Sequence, residues 1–113
     1  MLDIDCLAQA VYYEARAESR AGQYAVARVV INRAKKGKSL CSVVYSGAFS
    51  WTHRPQKYPF GRQWTVAQEE AQKALEGPDT VDGATHFHNQ TVKPYWSRTL
   101  KFVIRIGAHS FYK

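Results

Sequence analysis

The stretch that decides the fold lies near the amino terminus and reads Leu7-Ala8-Gln9-Ala10-Val11-Tyr12-Tyr13-Glu14-Ala15-Arg16-Ala17-Glu18. Four of its residues recur at steps of four, three and four: Leu7, Val11, Glu14 and Glu18. Residues at these spacings share one face of an α-helix. Asp3 or Asp5 suits its amino-terminal end. The sequence therefore predicts a helix over residues 3–18 with carboxylates on its apolar face.

A second helix is predicted over residues 23–34, after a short break at residues 19–22. One side of it carries Val26, Val29, Val30 and Arg33. It ends in the run Lys35-Lys36-Gly37-Lys38, because glycine and late lysines are helix-stop signals.

A third helix is predicted to open at Thr65, whose spacing from Gln68 matches a capping box, and to end at Gly77. Its buried stripe is predicted to consist of Ala67, Ala71, Ala74 and Leu75. Between the second and third helices, residues 40–45 fit either a helix or a strand. Residues 47–64 are rich in Gly, Pro and aromatic residues, so an irregular segment with short strands at most is expected.

The last third of the chain changes to the period of a β-strand, with alternating apolar residues at Leu100, Phe102, Ile104 and Ile106. Residues 84–89 are predicted to form a partner strand, and residues 110–112 a short terminal strand. Helices followed by strands indicate an α+β fold. The 113 residues fit one domain, expected over residues 1–113 with a small antiparallel sheet after the helices.

The formal net charge of +7 favours an anionic partner: nucleic acid, an acidic membrane surface or an anionic cell-wall polymer. No apolar run approaches the roughly 20 residues that would span a bilayer, so no membrane span is expected. Met1 leads directly into acidic, helix-like sequence, and no signal peptide is expected.

Glu14 is the candidate catalytic residue. A carboxylate on an apolar helix face loses hydration, which raises its pKa, to about 6 for general acids in apolar pockets. A carboxyl group that keeps its proton can protonate a leaving oxygen. The alternative is an ordinary helix glutamate paired with Arg16 or Arg20. Glu18, one turn further along, is expected to contact a basic side chain or to shape the surroundings of Glu14, since one-helix pairs seldom bracket a ligand.

The order of motifs along the chain resembles that of the SleB-type cell wall hydrolases, the spore cortex-lytic family. Their helix with the pattern aliphatic-aromatic-x-E-A-R-x-E matches residues 11–18. Further matching blocks are Gly22-Gln23, Ala25-Val26-Ala27, Val29-Val30-Ile31-Asn32-Arg33, Val43-Val44-Tyr45, Phe49-Ser50-Trp51-Thr52, Gly83-Ala84-Thr85-His86-Phe87-His88-Asn89, Val92-Lys93-Pro94-Tyr95-Trp96 and Ile106-Gly107-Ala108-His109-Ser110-Phe111-Tyr112. Two departures are Ala17, where the family has glycine, and residues 79–82, where it has Asp-Pro-Thr.

The resemblance implies a lysozyme-like or lytic-transglycosylase-like domain that acts on peptidoglycan glycan strands at the bond between N-acetylmuramic acid and N-acetylglucosamine. It places the family's catalytic glutamate at Glu14. In the transglycosylase mechanism this residue is acid and then base, and a 1,6-anhydro end forms. If water attacks instead, the enzyme is a muramidase-type hydrolase. The resemblance favours the transglycosylase.

Aromatic and polar residues are expected to line the sugar groove, because flat rings with polar tips suit the apolar faces of sugars. Aromatic residues in loops or short strands are Trp51, Tyr58, Trp64, Phe87, Tyr95, Trp96 and Tyr112. The substrate-binding residues are predicted to be Glu18, Ser50, Trp51, His86, Phe87, His88, Asn89, Trp96 and Tyr112. His86 and His88 could share a metal on one strand face, but hydrogen bonding at the groove is favoured, and no metal or cofactor is expected.

The two cysteines, Cys6 and Cys41, are compatible with one disulfide or with two buried thiols. The family resemblance implies the disulfide. It also places the protein at the bacterial cell wall, in the periplasm or outside the cell. With no signal peptide expected, a phage endolysin or a truncated secreted bacterial enzyme is the expected origin, and a monomer is expected. Two other classes remain as alternatives: a basic nucleic-acid-binding module and a non-catalytic wall-binding domain. No nucleic-acid partner is expected, because the basic residues are scattered.

Overall fold

A computed structural model describes residues 2–35 and 37–113. Met1, cited above where no signal peptide was expected, and Lys36, part of the predicted end of the second helix, lie outside the described residues. Four helices come first: α1 (Asp3–Ala15), α2 (Arg20–Ala34), α3 (Leu40–Val44) and α4 (Gly61–Glu76). Three strands follow: β1 (His86–Asn89), β2 (Phe102–Ile106) and β3 (His109–Tyr112). Short 3₁₀ turns cover Ser50–His53 and Tyr95–Arg98. The expected α+β architecture is confirmed.

The first helix ends at Ala15, three residues before the predicted end at Glu18. The chain leaves the helix because the Glu18 N–H donates to the Ala15 carbonyl in a turn, and Ser19 then caps α2 by accepting from the Gly22 N–H at 3.2 Å. The second helix accordingly starts at Arg20, earlier than predicted. The prediction that Glu18 shares the helical face of Glu14 is therefore wrong.

The helix predicted from Thr65 begins four residues earlier, at Gly61. Thr65 is an interior residue whose hydroxyl donates to the Gly61 carbonyl at 3.3 Å, so the predicted capping box is wrong. Of the predicted stripe, Ala67, Ala71 and Ala74 are buried, but Leu75 is 40% exposed. Residues 40–45, for which helix and strand both remained open, contain helix α3.

The sheet has the order β1-β3-β2, and both pairs are antiparallel. Phe111, in the central strand, pairs with Phe87 on one side and Ile104 on the other. Not all of the alternating apolar residues in the predicted strand are buried: Phe102 is 53% and Ile104 39% exposed. A register shift between these two residues is the cause, because it turns Val103 towards the core.

The core consists of two groups of buried side chains. Helix α1 packs on α2, α3 and α4 around Leu7 and Val11, and the sheet packs on α2 around Val26, Val29 and Phe111. Phe87 touches both groups and so joins the helices to the sheet. A disulfide between Cys6 and Cys41, the pair implied by the family resemblance, links α1 to α3.

Candidate active site

Glu14 lies in the last turn of α1, at a cleft of about 740 Å³ between the helices and the sheet. The lining residues come from α1, α2, the loop after α3, β1 and the turn after β1: Glu14, Arg33, Gly47, Ala48, Phe49, His86, Phe87, Tyr95 and Trp96. Glu14 is the only acidic residue in this set. The cleft is thus a largely aromatic surface with one carboxyl group and one guanidinium group.

Burial raises the pKa of the Glu14 carboxyl above its ordinary value. Two neighbours oppose this effect: the indole N–H of Trp51 and the positive charge of Arg33 both lower the pKa. The Trp51 N–H is buried without a partner at hydrogen-bonding geometry, so it lies near Glu14 without closing an ordinary hydrogen bond. Since burial is the largest of these effects, the protonated form is favoured relative to an exposed glutamate.

Arg33 is the charged residue among the cleft residues that the sequence analysis did not assign to the site, which also include Gly47, Ala48 and Phe49. Its guanidinium donates to the Thr85 carbonyl and lies 5.7 Å from the centre of the Phe49 ring. Burial lowers its pKa, and the charge of Glu14 raises it, but an arginine remains cationic throughout the pH range of proteins. Its unusual position was visible in the sequence, because Arg33 belongs to the same helical side as Val26, Val29 and Val30.

His86 and Trp96 form one wall of the cleft. Their ring centroids are 4.8 Å apart, and His86 Nδ1 lies 2.9 Å from the Thr85 hydroxyl. Burial and the positive charge of Arg33 lower the pKa of His86, which favours the neutral imidazole. The wall therefore offers an apolar ring and an uncharged hydrogen-bonding group.

Four of the ten predicted catalytic and substrate-binding residues line the cleft: Glu14, His86, Phe87 and Trp96. Trp51 lies behind Phe49, with ring centroids 6.1 Å apart, and lines a neighbouring pocket. His88 and Tyr112 support the wall from behind: His88 Nε2 is 3.1 Å from the Tyr112 hydroxyl, and the Tyr112 ring packs edge-on against Trp96.

The remaining three residues have positions outside the cleft. Ser50 is exposed at the start of a 3₁₀ turn, and Asn89 accepts hydrogen bonds from the Thr91 backbone and hydroxyl in a turn. Glu18 lies under the hairpin that connects β2 to β3, where its Oε1 accepts from the Ala108 N–H at 2.9 Å. The same oxygen is 4.0 Å from Nδ1 of His109. The structure thus gives Glu18 a contact with the hairpin and not a place at the cleft.

A metal at His86 and His88 would need a third ligand nearby. Among residues 2–35 and 37–113, no group of three or more His, Cys, Asp or Glu side chains could hold a metal ion. Within the same residues, none of the helices has the length and apolar character to cross a bilayer. The chemistry that the described site itself offers is acid–base chemistry at one carboxyl group.

The cleft with its single desolvated carboxyl group suits a protein that carries out acid–base chemistry at one residue. Residues 17–112 match the family model described as Cell Wall Hydrolase, and the chain belongs to this family. The resemblance stated from the sequence is thereby confirmed.

Two curated relatives are both called spore cortex-lytic enzyme. That of Halalkalibacterium halodurans is 35% identical over 96% of this chain, and that of Bacillus subtilis is 34% identical over 96%. These matches cover 34% and 37% of the relatives, so the chain spans about a third of their length.

Two solved structures have the same fold over 98% of this chain. The catalytic domain of the germination-specific lytic transglycosylase SleB from Bacillus anthracis is 31% identical with a TM-score of 0.85, over 93% of that chain. The catalytic domain of the Bacillus cereus SleB protein is 29% identical with a TM-score of 0.82, over 89% of that chain. The chain therefore matches almost the whole of each of these two domains.

Proposed function

We propose that this chain cleaves the bond between N-acetylmuramic acid and N-acetylglucosamine in peptidoglycan, as a lytic transglycosylase, with Glu14 as its catalytic residue. The observation that carries the proposal is a desolvated carboxyl group, Glu14, at a cleft where it is the only acidic residue among the described residues of the lining. Membership of the Cell Wall Hydrolase family and the 31% identity to a catalytic domain named a lytic transglycosylase support it.

The reaction needs one group that gives a proton and then takes one. Protonated Glu14 donates to the glycosidic oxygen, and the bond from C1 of the muramyl residue to that oxygen breaks. The substrate's own N-acetyl group stabilises the positive charge at C1. Ionised Glu14 then removes the proton of the muramyl 6-hydroxyl, whose oxygen bonds to C1 and gives the 1,6-anhydro end. Glu14 finishes protonated, so no second carboxylate is required.

The surroundings of Glu14 suit both halves of this cycle. Burial favours the protonated acid of the first step, whereas Arg33 and the Trp51 N–H favour the carboxylate of the second. Arg33 also faces the cleft, where a guanidinium can donate hydrogen bonds to the oxygens of a sugar or its substituents.

The pH dependence follows from the sign of the Glu14 shift. The free enzyme must hold Glu14 protonated, so kcat/KM is expected to be highest below its pKa and to fall as the pH rises through it. Because burial raises this pKa, the fall is expected at a higher pH than for an exposed glutamate.

The roles of the other predicted residues follow their positions. Phe87, Trp96 and His86 contact the sugar in this proposal, since they line the cleft. Trp51, His88 and Tyr112 support that surface, and Glu18 positions the hairpin. The protein acts as a monomer at the bacterial cell wall, as a phage endolysin or as part of a secreted bacterial enzyme. The net charge of +7 aids its approach to an anionic wall.

The test is mass spectrometry of the fragments released from purified cell walls. Anhydro ends are expected from the unmodified chain; reducing ends would show the muramidase alternative, with the same residue but water as the nucleophile. Glu14→Gln is expected to reduce release by about 10²–10⁴-fold while the fold remains intact, because glutamine cannot donate the proton. Glu76→Gln, an exposed change on α4, is the matched control and should release fragments normally. Full release by Glu14→Gln would refute the proposal.

A further inference from the structure

A second pocket, of about 290 Å³, lies on the far side of Trp51 from the cleft. A row of aromatic rings leads to it. The Phe87 and Phe49 centroids are 6.2 Å apart, those of Phe49 and Trp51 are 6.1 Å apart, and those of Trp51 and Tyr13 are 4.6 Å apart. Phe87 and Phe49 line the cleft, and Trp51 and Tyr13 line the pocket. The two depressions are therefore linked by a row of packed rings, of which Phe49 and Trp51 are buried.

The lining of this pocket combines ring faces with planar hydrogen-bonding groups. Tyr13, Tyr45 and Trp51 form the wall, and Arg54 and Gln56 also line the pocket. Gln56 is held in place because its Nε2 donates to the Trp51 carbonyl at 3.2 Å. No ion pair of Arg54 occurs among the described residues, so its charge is available to a ligand. Aromatic faces beside amide and guanidinium groups match the apolar faces and hydroxyls of a sugar.

Tyr58 is the most prominent feature of the pocket. It lies at the pocket but is 91% exposed, which is unusual for an aromatic side chain that supports only packing. The Tyr13 hydroxyl donates to the Lys57 carbonyl, which ties the segment carrying Tyr58 to helix α1. The ring thus stands on an anchored segment with its faces open to solvent.

We propose that this pocket binds one further sugar residue of the glycan strand whose scissile bond lies at Glu14. The inference rests on the proposed function, because it takes the same polymer as the ligand. The volume is at the small end of ligand sites, about 300–1,000 Å³, and suits a single sugar ring. Tyr58 stacks on the sugar, and Arg54 and Gln56 bind its polar groups.

A subsite of this kind makes affinity depend on chain length. A hexasaccharide of alternating N-acetylglucosamine and N-acetylmuramic acid can fill the cleft and the pocket together, whereas a disaccharide fills only one of them. In the inactive Glu14→Gln background, Tyr58→Ala is expected to weaken hexasaccharide binding roughly threefold to tenfold in calorimetry. The matched control is Leu75→Ala, which removes an exposed apolar side chain from α4 and should leave the affinity unchanged.

The location of binding is read from the backbone amide NMR signals of the same Glu14→Gln variant. Addition of the hexasaccharide is expected to shift the amides of Thr52 and Arg54 together with that of Phe87. Three results would overturn the proposed subsite: amide shifts confined to Phe87 and the other cleft residues, no binding of the hexasaccharide, or an unchanged affinity in Tyr58→Ala. Fragment release by the unmodified chain tests the proposed function separately, so an active enzyme without these amide shifts would retain the function and lose only the subsite.

Discussion

Substitution of Gly107 by alanine tests how Glu18 supports the hairpin between β2 and β3. Gly107 has a φ of +58°, a left-handed conformation that disfavours any residue with a Cβ. In addition, a Cβ at this position would collide with Oε1 of Glu18, the atom that accepts from the Ala108 N–H. Alanine therefore introduces backbone strain and also displaces the Glu18 carboxylate from its hydrogen bond.

The two costs can be added. The left-handed conformation costs a non-glycine residue about 1–2 kcal/mol. Loss of a hydrogen bond to a charged group costs about 1.5–3 kcal/mol, and the Glu18 side chain is largely buried, so water only partly replaces the bond. Gly107→Ala is expected to lower the free energy of unfolding by about 2.5–5 kcal/mol, a large part of the 5–15 kcal/mol typical of a domain.

Urea unfolding followed by circular dichroism measures this loss, and Gly83→Ala is the matched control. Gly83 has a φ of +79°, but a Cβ there would meet no atom within 4 Å, so only the strain of about 1–2 kcal/mol is expected. In a Glu18→Ala background, Gly107→Ala should also cost no more than the strain. Equal losses in Gly107→Ala and Gly83→Ala would refute the role assigned to Glu18.

Three further predictions concern the disulfide, the acid limit of stability and the cleft. Replacing Cys6 and Cys41 by serine is expected to lower the free energy of unfolding by about 3–4 kcal/mol in urea titrations, since the bridge closes a loop with a separation of 35 residues; an unchanged midpoint would contradict this. Burial alone would raise the pKa of Asp79, but hydrogen bonds from backbone amides and the charge of a nearby arginine lower it below its ordinary value. The stability that Asp79 contributes is therefore fully present above the pKa of the unfolded state, and it is lost as the pH falls through the lower pKa of the folded state. Asp79→Asn should therefore reduce the loss of stability at acid pH, and an unaltered loss would count against the interaction of Asp79 with Arg28, whose Nε lies 4.0 Å from Asp79 Oδ1. Arg33→Gln removes a charge that lowers the pKa of Glu14, so the fall of kcat/KM should move to higher pH; a fall that stays in place would show that Arg33 does not act on this group.

The sequence predicted the burial of the Glu14 carboxyl because a helical period is a local property. Glu14 occurs in register with Leu7 and Val11, and the structure places it at the end of α1 with a desolvated carboxyl. The same helical period wrongly predicted that the helix continues to Glu18, because periodicity alone does not show where a helix ends. Ser19, which caps α2, was the signal that could have placed the boundary correctly.

Other features depended on contacts that the sequence does not encode locally. Arg33 approaches Glu14 only because α2 packs on α1, although a charged residue on an apolar helix side was a sign that could have been used. The exposure of Phe102 and Ile104 results from a register shift in strand pairing, which strict alternation cannot predict. Helix α4 starts at Gly61 without a side-chain cap, so no capping residue marked its beginning.

The central claim is that the cleft keeps a proton on Glu14, and the titration of this side chain tests it most directly. The carboxyl carbon of Glu14 can be followed by NMR across the pH range in the unmodified chain without substrate. A midpoint clearly above the ordinary glutamate value of about 4.3 is expected, with a further rise in Arg33→Gln. A midpoint at or below the ordinary value would contradict the account, because a group ionised so readily could not serve as the acid.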